Sequence, residues 1–314
     1  MFCLLIAIAA AADFNAWKLA NKKHFSLAEN LRRRAIFNKN AKFVEAFNKQ
    51  HSFELSVDGP FAAHTNAEYQ AMLKPIHYEP FTGKSEVPKS VPESVDWRAQ
   101  GKVPAVRDQA QCGSCYTFSA LASVENRLLI AGSKRFTVDT MDLSEQQLVD
   151  CSTSVGNNGC SGGSLVMTFR YIKTNGIMAE SDYKYTATET TCAYDKTKVV
   201  AHISGQKSIA QGDEAALTAA AVEGVVSVAI DASRASFQLY KKGVYDEAKC
   251  SSTQLDHGVA VVGYGVQDGS DYYIVRNSWG ASWGLDGYIL MSRNKNNQCG
   301  IATGAVYPTG VADA

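Results

Sequence analysis

Cys115 closes the run Gln109-Ala-Gln-Cys-Gly-Ser-Cys115 and opens an apolar stretch that reads as a helix. Its thiol therefore sits at a helix N-terminus, where unpaired N–H groups and the helix dipole favour an anion. That placement suits a nucleophilic thiolate. At a mildly acidic pH of about 5, a thiol of pKa about 8.5 is ionised roughly once in several thousand molecules, a deficit of about 5 kcal/mol. The dipole contributes about 0.3–1 kcal/mol and at most about 2. A cationic partner is required, and imidazolium is the usual one.

The chain holds six histidines, of which only His202 and His257 lie beyond residue 92. His202, in Val-Val-Ala-His-Ile-Ser, reads as a sheet or surface residue. His257, in Leu-Asp-His-Gly-Val-Ala-Val-Val-Gly-Tyr-Gly, stands at the mouth of a buried strand and is the partner the cysteine needs. A base must itself be oriented through its other ring nitrogen. Asn277, in Ile-Val-Arg-Asn-Ser-Trp-Gly, follows the next strand. A neutral amide would hold the ring without drawing charge from a thiolate–imidazolium pair, although an ordinary turn asparagine fits the same sequence.

The elements that must position these residues can be read from periodicity and punctuation. A buried helix is expected over Ser114–Ala131, closed by Gly132, with others over Leu143–Asp150 and Gly163–Asn175, the last stopped by Gly176. From about residue 200 the texture changes to short Val-, Ile- and Tyr-rich runs: Val225–Ile230, Gly258–Gly265, Tyr272–Arg276 and Gly287–Met291. A helical half followed by a sheet-rich half gives an α+β body with a cleft between the halves.

The N-terminal third is different. Residues 1–12 are one apolar run ending in alanines, too short to span a bilayer and suited to a cleaved secretory leader. Residues 13–50 are charged, free of Gly and Pro, and helical in period, whereas 74–92, with four prolines, read as an exposed linker. All cysteines except Cys3 follow this linker. Loss of Cys3 with the leader would leave seven, an odd number that implies disulfides plus one thiol; six paired cysteines permit 15 connectivities. A disulfide-free charged piece before a cysteine-bearing body suggests a removable pro-segment over 13–90 and a mature part over 91–314, or else a small permanent helical domain. The net charge is zero and no basic stripe exists, so nucleic acid is not an expected partner.

Together, Gln109…Cys112-Gly-Ser-Cys115, Asn158-Gly-Cys-Ser-Gly-Gly163, Asp256-His257-Gly258 and Asn277-Ser-Trp-Gly280…Trp283-Gly resemble the papain family of cysteine proteases, of the cathepsin L-like type. The resemblance implies a two-lobed fold: a helical left lobe over about 91–200, a β-barrel-like right lobe over about 201–314, and the active-site cleft between them. It implies a nucleophile at Cys115, a base at His257, an orienting amide at Asn277 and an oxyanion-hole side chain at Gln109. Trp279 would shield the His–Asn bond. The implied disulfides are Cys112–Cys160, Cys151–Cys192 and Cys250–Cys299, which leave Cys115 free. Gly162 and Gly163 would border the substrate; Leu165, Ala229, Leu255 and Gly258 would wall the S2 pocket above Gly304. No carboxylate stands among those five, so an apolar P2 residue is expected. An exopeptidase is disfavoured by the lack of a His-bearing insertion over the cleft.

Glu29, Arg33, Phe37, Asn40, Val44 and Asn48 follow the family's pro-segment pattern and fall on one helical stripe, as a helix docking by one face requires. The implied role is an intramolecular inhibitor removed near Ser85–Val91. A second pro-segment pattern survives only as Phe61: Val57, Gly59 and Ala63 stand where Gly, Asn and Asp are usual, so an acid trigger resting on that Asp is in doubt. Tyr116 and Tyr273 replace tryptophans, and Tyr116 with the altered motif resembles amoebal members of the family. Implied partners are protein and peptide substrates and cystatin-like inhibitors, for a monomer of the secretory pathway, in lysosome-like vesicles or secreted. No cofactor, metal or membrane span is expected. No Asn-x-Ser/Thr sequon supports glycan-dependent sorting. A thiol–disulfide oxidoreductase using Cys112 and Cys115, a zinc site and an inactive binding homologue are the rival readings.

Overall fold

The structure, a computed structural model, describes residues 13–314 except 86, 87 and 89. The expected leader and part of the expected processing stretch lie outside the described residues. Asp13 and Ser26 cap α1 (Phe14–Ala20) and α2 (Leu27–Asn48) by accepting from first-turn N–H groups. After β1 (Glu54–Leu55), a reciprocal capping box of Thr65 and Glu68 opens α3 (Asn66–Met72).

The stripe expected on α2 faces its own segment rather than the body. Arg33 reaches Glu29, Glu68 and the Ala63 carbonyl. Asn40 Nδ2 donates to the Ala62 and His64 carbonyls, and the Asn48 amide pairs with both backbone groups of Leu55. Phe37 is buried against Phe14 and Trp17, with ring centroids 5.6 Å from each. Other residues reach the body. β1 pairs with residues 240–242, Tyr69 Oη donates to the Ala232 carbonyl, and Asn66 and Gln238 join side chain to side chain.

The body begins at β2 (Val95–Asp96). Its first lobe holds α4 (Cys115–Ile130), α5 (Glu145–Cys151) and α6 (Leu165–Asn175), with bounds close to those expected. Gly132 terminates α4 at φ +77°, where its N–H and that of Ser133 turn back to the Leu129 and Leu128 carbonyls. After β3 (Ile177–Met178) and β4 (Val199–His202), the second lobe holds β5 (Gly205–Ser208), α7 (Glu214–Glu223), β6 (Val226–Ile230), α8 (Ala235–Gln238), β7 (Tyr240–Lys242) and β8 (Val244–Tyr245). It continues through β9 (His257–Gln267), β10 (Ser270–Arg276), β11 (Tyr288–Ser292), β12 (Val306–Thr309) and β13 (Ala312–Asp313).

One sheet runs in the order β5-β12-β6-β9-β10-β11-β8, with β2 added on β9. α4 is buried along nearly its whole length and packs on β6 and β9. Its Ser119 and Ser123 hydroxyls donate to the Val259 and Val225 carbonyls, at 2.6 and 2.9 Å, and so tie the helix to the sheet. The lobes do not divide the chain cleanly at residue 200. β2 joins the sheet of the second lobe, while β13 pairs with β4 and Val306 packs into the core of α4 and α6. Cys112–Cys160, Cys151–Cys192 and Cys250–Cys299 are bonded, and Cys115 is free. These pairs are the ones the resemblance implies. His202 is exposed in β4 opposite Ala312, an ordinary sheet residue.

Candidate active site

Cys115 is the first residue of α4, His257 the first of β9, and Asn277 follows β10. Antiparallel β9 and β10 pair Ala260 with Arg276, which brings Asn277 beside His257. Asn277 Oδ1 lies 2.7 Å from His257 Nε2 and 2.7 Å from the Ser278 N–H. An amide oxygen only accepts, so Nε2 donates and the neutral ring keeps its lone pair on Nδ1. The Trp279 ring stacks on the imidazole at 4.5 Å and 22°. Cys115 Sγ accepts from the Gly258 N–H at 3.3 Å, so the thiol lies at the residue next to His257. Only glycine fits there comfortably: a Cβ on Gly258 would come 3.3 Å from the Cys115 backbone.

Gln109 is held at both ends of its amide. Its Oε1 accepts from the Ser278 hydroxyl at 2.6 Å, and its Nε2 donates to the Cys112 carbonyl at 2.8 Å. The second N–H of Nε2 makes no hydrogen bond among the described residues. A buried ion network fixes the flanking chain: Arg107 bonds Glu125 at 2.7 Å and Glu145 at 2.8 Å, while Arg276 approaches Glu125 at 3.8 Å. The residues just upstream of Gln109 and Asn277 are thus pinned to one carboxylate of α4.

Residues 74–78 lie across the groove between the lobes. Ile76 forms a parallel bridge with Gly163, the His77 N–H donates to the Gly163 carbonyl at 3.0 Å, and the Ile76 N–H donates to that of Leu255. Ile76 packs in one cluster with Leu165, Ala229 and Leu255. Tyr78 covers Gly304, where a Cβ would meet the Tyr78 Cβ at 3.0 Å. Gly162 passes beneath the Pro75 carbonyl, which a Cβ there would approach to 2.9 Å. Phe61 and Tyr69 pack edge-on against Trp279, at 5.0 and 5.7 Å. Residues 61–78 therefore pack over Gly162, Gly163, Leu165, Leu255, Gly304 and Trp279 among the expected substrate-binding positions.

Burial sets the protonation states in this form of the chain. Burial pushes the Cys115 thiol up to about 12, against the pull of the Gly258, Tyr116 and Cys115 N–H groups. Burial also pushes His257 down to about 4, opposed by its bond to Asn277. Both shifts favour neutral thiol and neutral imidazole while the segment is in place. Asp256, beside His257, is raised to about 7 by burial.

The substituted aromatics have local partners. Tyr116 Oη donates to the Gly159 carbonyl at 3.1 Å, and Tyr273 Oη to that of Glu214 at 3.1 Å. Sequence reasoning missed Ser278, although it sits inside the Asn277-Ser-Trp-Gly run, and missed the Arg107–Glu125–Glu145 network. A charged residue inside an apolar helix, as Glu125 is, was the available signal for the latter. Among the described residues no cluster of His, Cys, Asp or Glu is placed to hold a metal ion, and no helix is long and apolar enough to cross a membrane.

Comparison with known proteins points the same way as this geometry. Residues 91–309 match the papain family cysteine protease model, and residues 14–69 match the cathepsin propeptide inhibitor domain (I29). The chain is 52% identical to cysteine proteinase 2 of Entamoeba histolytica, over 99% of this chain and 98% of that protein. It is 40% identical to human cathepsin L2, over 98% and 97% respectively. Digestive procathepsin L 3 of Tenebrio molitor larval midgut superimposes with a TM-score of 0.85 at 38% identity, covering 94% of this chain and 97% of that one. The chain belongs to the papain family of cysteine proteases, as a cathepsin L-like zymogen that carries its own propeptide inhibitor domain.

Proposed function

We propose that Cys115 is the nucleophile, His257 the base and then the acid, Asn277 the orienting amide, and Gln109 with the Cys115 N–H the oxyanion hole. The thiolate adds to the peptide carbonyl, and the free Gln109 N–H and the Cys115 N–H receive the developing oxyanion. His257 passes its proton to the leaving amine, and the same imidazole then activates the water that hydrolyses the acyl-enzyme. The observation that carries this reading is the Asn277–His257 bond of 2.7 Å beneath Trp279, set beside a free cysteine at a helix N-terminus. Acidified precursor should shorten and hydrolyse a reporter peptide with Leu at P2. Cys115→Ser should lower hydrolysis by at least about a thousandfold while leaving the fold intact. A variant that stayed active would refute the mechanism.

Residues 1–12 are proposed as the leader, 13–90 as the propeptide and 91–314 as the mature peptidase. Leu165, Ala229, Leu255, Gly258 and Gly304 are proposed to form an apolar S2 pocket, with Gly162, Gly163 and Trp279 along the substrate path. Tyr78 over Gly304 and Ile76 against Leu165 support a preference for P2 Leu or Phe. A positional library in which P2 Arg gave the higher kcat/KM would reverse it. A monomer of lysosome-like vesicles or the secreted space, open to cystatin-like inhibitors, completes the proposal.

A further inference from the structure

Ser114 is the N-cap of α4, yet its side chain caps nothing. Ser26, Thr65, Ser144, Ser164 and Asp213, the caps of α2, α3, α5, α6 and α7, each accept from their helix's first turn. The Ser114 hydroxyl instead lies 2.6 Å from Tyr185 Oη, and Tyr185 Oη donates to the Gln109 carbonyl at 2.8 Å. A carbonyl only accepts, so the Tyr185 proton goes to Gln109 and Ser114 donates to Tyr185. The tyrosine is itself fixed. Its ring packs edge-on against Phe118 of α4 at 5.1 Å, and its N–H donates to Glu180 at 2.7 Å. Burial, with the Glu145 and Asp108 carboxylates nearby, raises the phenol above its ordinary range, so the proton is retained.

We propose that Tyr185 is a positioning residue for the thiolate and the oxyanion hole. Its hydroxyl anchors the Gln109 backbone and draws the Ser114 hydroxyl away from the N-terminus of α4. The Thr117 N–H already donates to the Ser114 carbonyl at 2.8 Å, so a serine cap left to itself would accept from the Tyr116 N–H. The Tyr116 and Cys115 N–H groups instead support the charged form of the Cys115 sulfur. A competing cap at this helix end would take a donor from the thiolate. Tyr185 removes the competitor and, with the same group, steadies the loop that carries Gln109.

This inference rests on the roles proposed for Cys115 and Gln109, and it is tested on the acid-processed enzyme. Tyr185→Phe should lower kcat by about tenfold with KM within about twofold of wild type, as an oxyanion donor is displaced rather than lost. The midpoint of iodoacetamide alkylation against pH should rise by about half a unit. Adding Ser114→Ala to Tyr185→Phe should return that midpoint to the wild-type value while kcat stays low. The proposal is overturned if Tyr185→Phe leaves kcat and midpoint unchanged, if its defect is a raised KM with a lowered melting temperature, or if the second substitution fails to restore the midpoint. Should Tyr185→Phe not fold, Ser114→Ala alone decides: an unchanged midpoint supports the proposal, and a raised one means the serine serves the thiolate itself. Activity surviving in Cys115→Ser would strike the parent reading instead.

Discussion

Phe37 of the N-terminal segment and Leu121 of α4 are equally buried, yet their surroundings are built differently. Around Leu121 lies a body with two disulfides in its lobe and a third in the other, each spanning 41 to 49 residues of sequence. Each bridge contributes about 2–4 kcal/mol by restricting the unfolded chain. Around Phe37 there is no covalent tie. The segment's α2 fully buries only Phe37 and Phe47, with Ala41 and Val44 partly buried beside them and carboxamide and guanidinium groups adding polar contacts. Its hold on the body is non-covalent throughout: shared apolar packing of Phe53, Phe61, Tyr69 and Ile76, a two-residue strand and a few hydrogen bonds. The difference fits a zymogen: the peptidase body keeps its shape through covalent ties, and the inhibitory segment is held without any.

Substitutions can break that contrast in order of size. Phe37→Ala should cost the segment about 3–5 kcal/mol, the usual loss for a buried phenylalanine. Calorimetry of a Cys115→Ser precursor background should then show an early, separate transition with the body's own melting temperature unchanged; a single cooperative transition moving as a whole would erase the contrast. His64→Gln addresses how the segment is released. In the docked segment His64 is pushed down to about 4 by burial, then by Arg33 and Lys23, with Glu68 opposing, and its buried Nδ1 has no partner among the described residues. Its free value is near 6.5, so the docked form binds fewer protons, and docking is complete above that pH and weakens as pH falls toward 4. Between pH 7 and pH 5 the wild-type segment, supplied as a separate peptide, should lose about tenfold more affinity for the mature enzyme than the His64→Gln peptide. Asp256, raised to about 7, titrates in the opposite sense, so the difference between the two peptides is the readout. Equal pH profiles would leave His64 without a role. Lys49→Ala, which removes an exposed pair with Glu45, should leave the melting temperature of the segment indistinguishable from that of the parent.

Local signals made much of this molecule legible in its sequence. Gly132 and Gly176 punctuate helices whose ends they then determine in the fold. Cys115 and His257 could be paired because few histidines were available and the thiol's energetics demanded a cation, whereas Asn277 came only with the family resemblance, since a turn asparagine fits the same sequence. The stripe on α2 shows where reading stops: periodicity reveals that a face is used, not what it meets. Arg33, Asn40 and Asn48 meet backbone of the same segment, while Phe61, Asn66 and Tyr69 make the dock. Ser278 and Tyr185 look locally ordinary. Their importance comes from Gln109, 169 and 76 positions away, and only the closed fold brings them together.

The place of β12 between β5 and β6 bears on the order in which this molecule comes into being. The sheet that presents His257 cannot be completed until residues near the C-terminus have left the ribosome. The N-terminal segment is made first, and its landing strip begins at Tyr240, 185 residues after its β1 partner Leu55, a delay of roughly ten to forty seconds at ordinary elongation rates. When the last strand is threaded, the segment that closes the groove is already at hand. A peptidase assembled in this sequence has no moment in its manufacture when it is both complete and open to its neighbours.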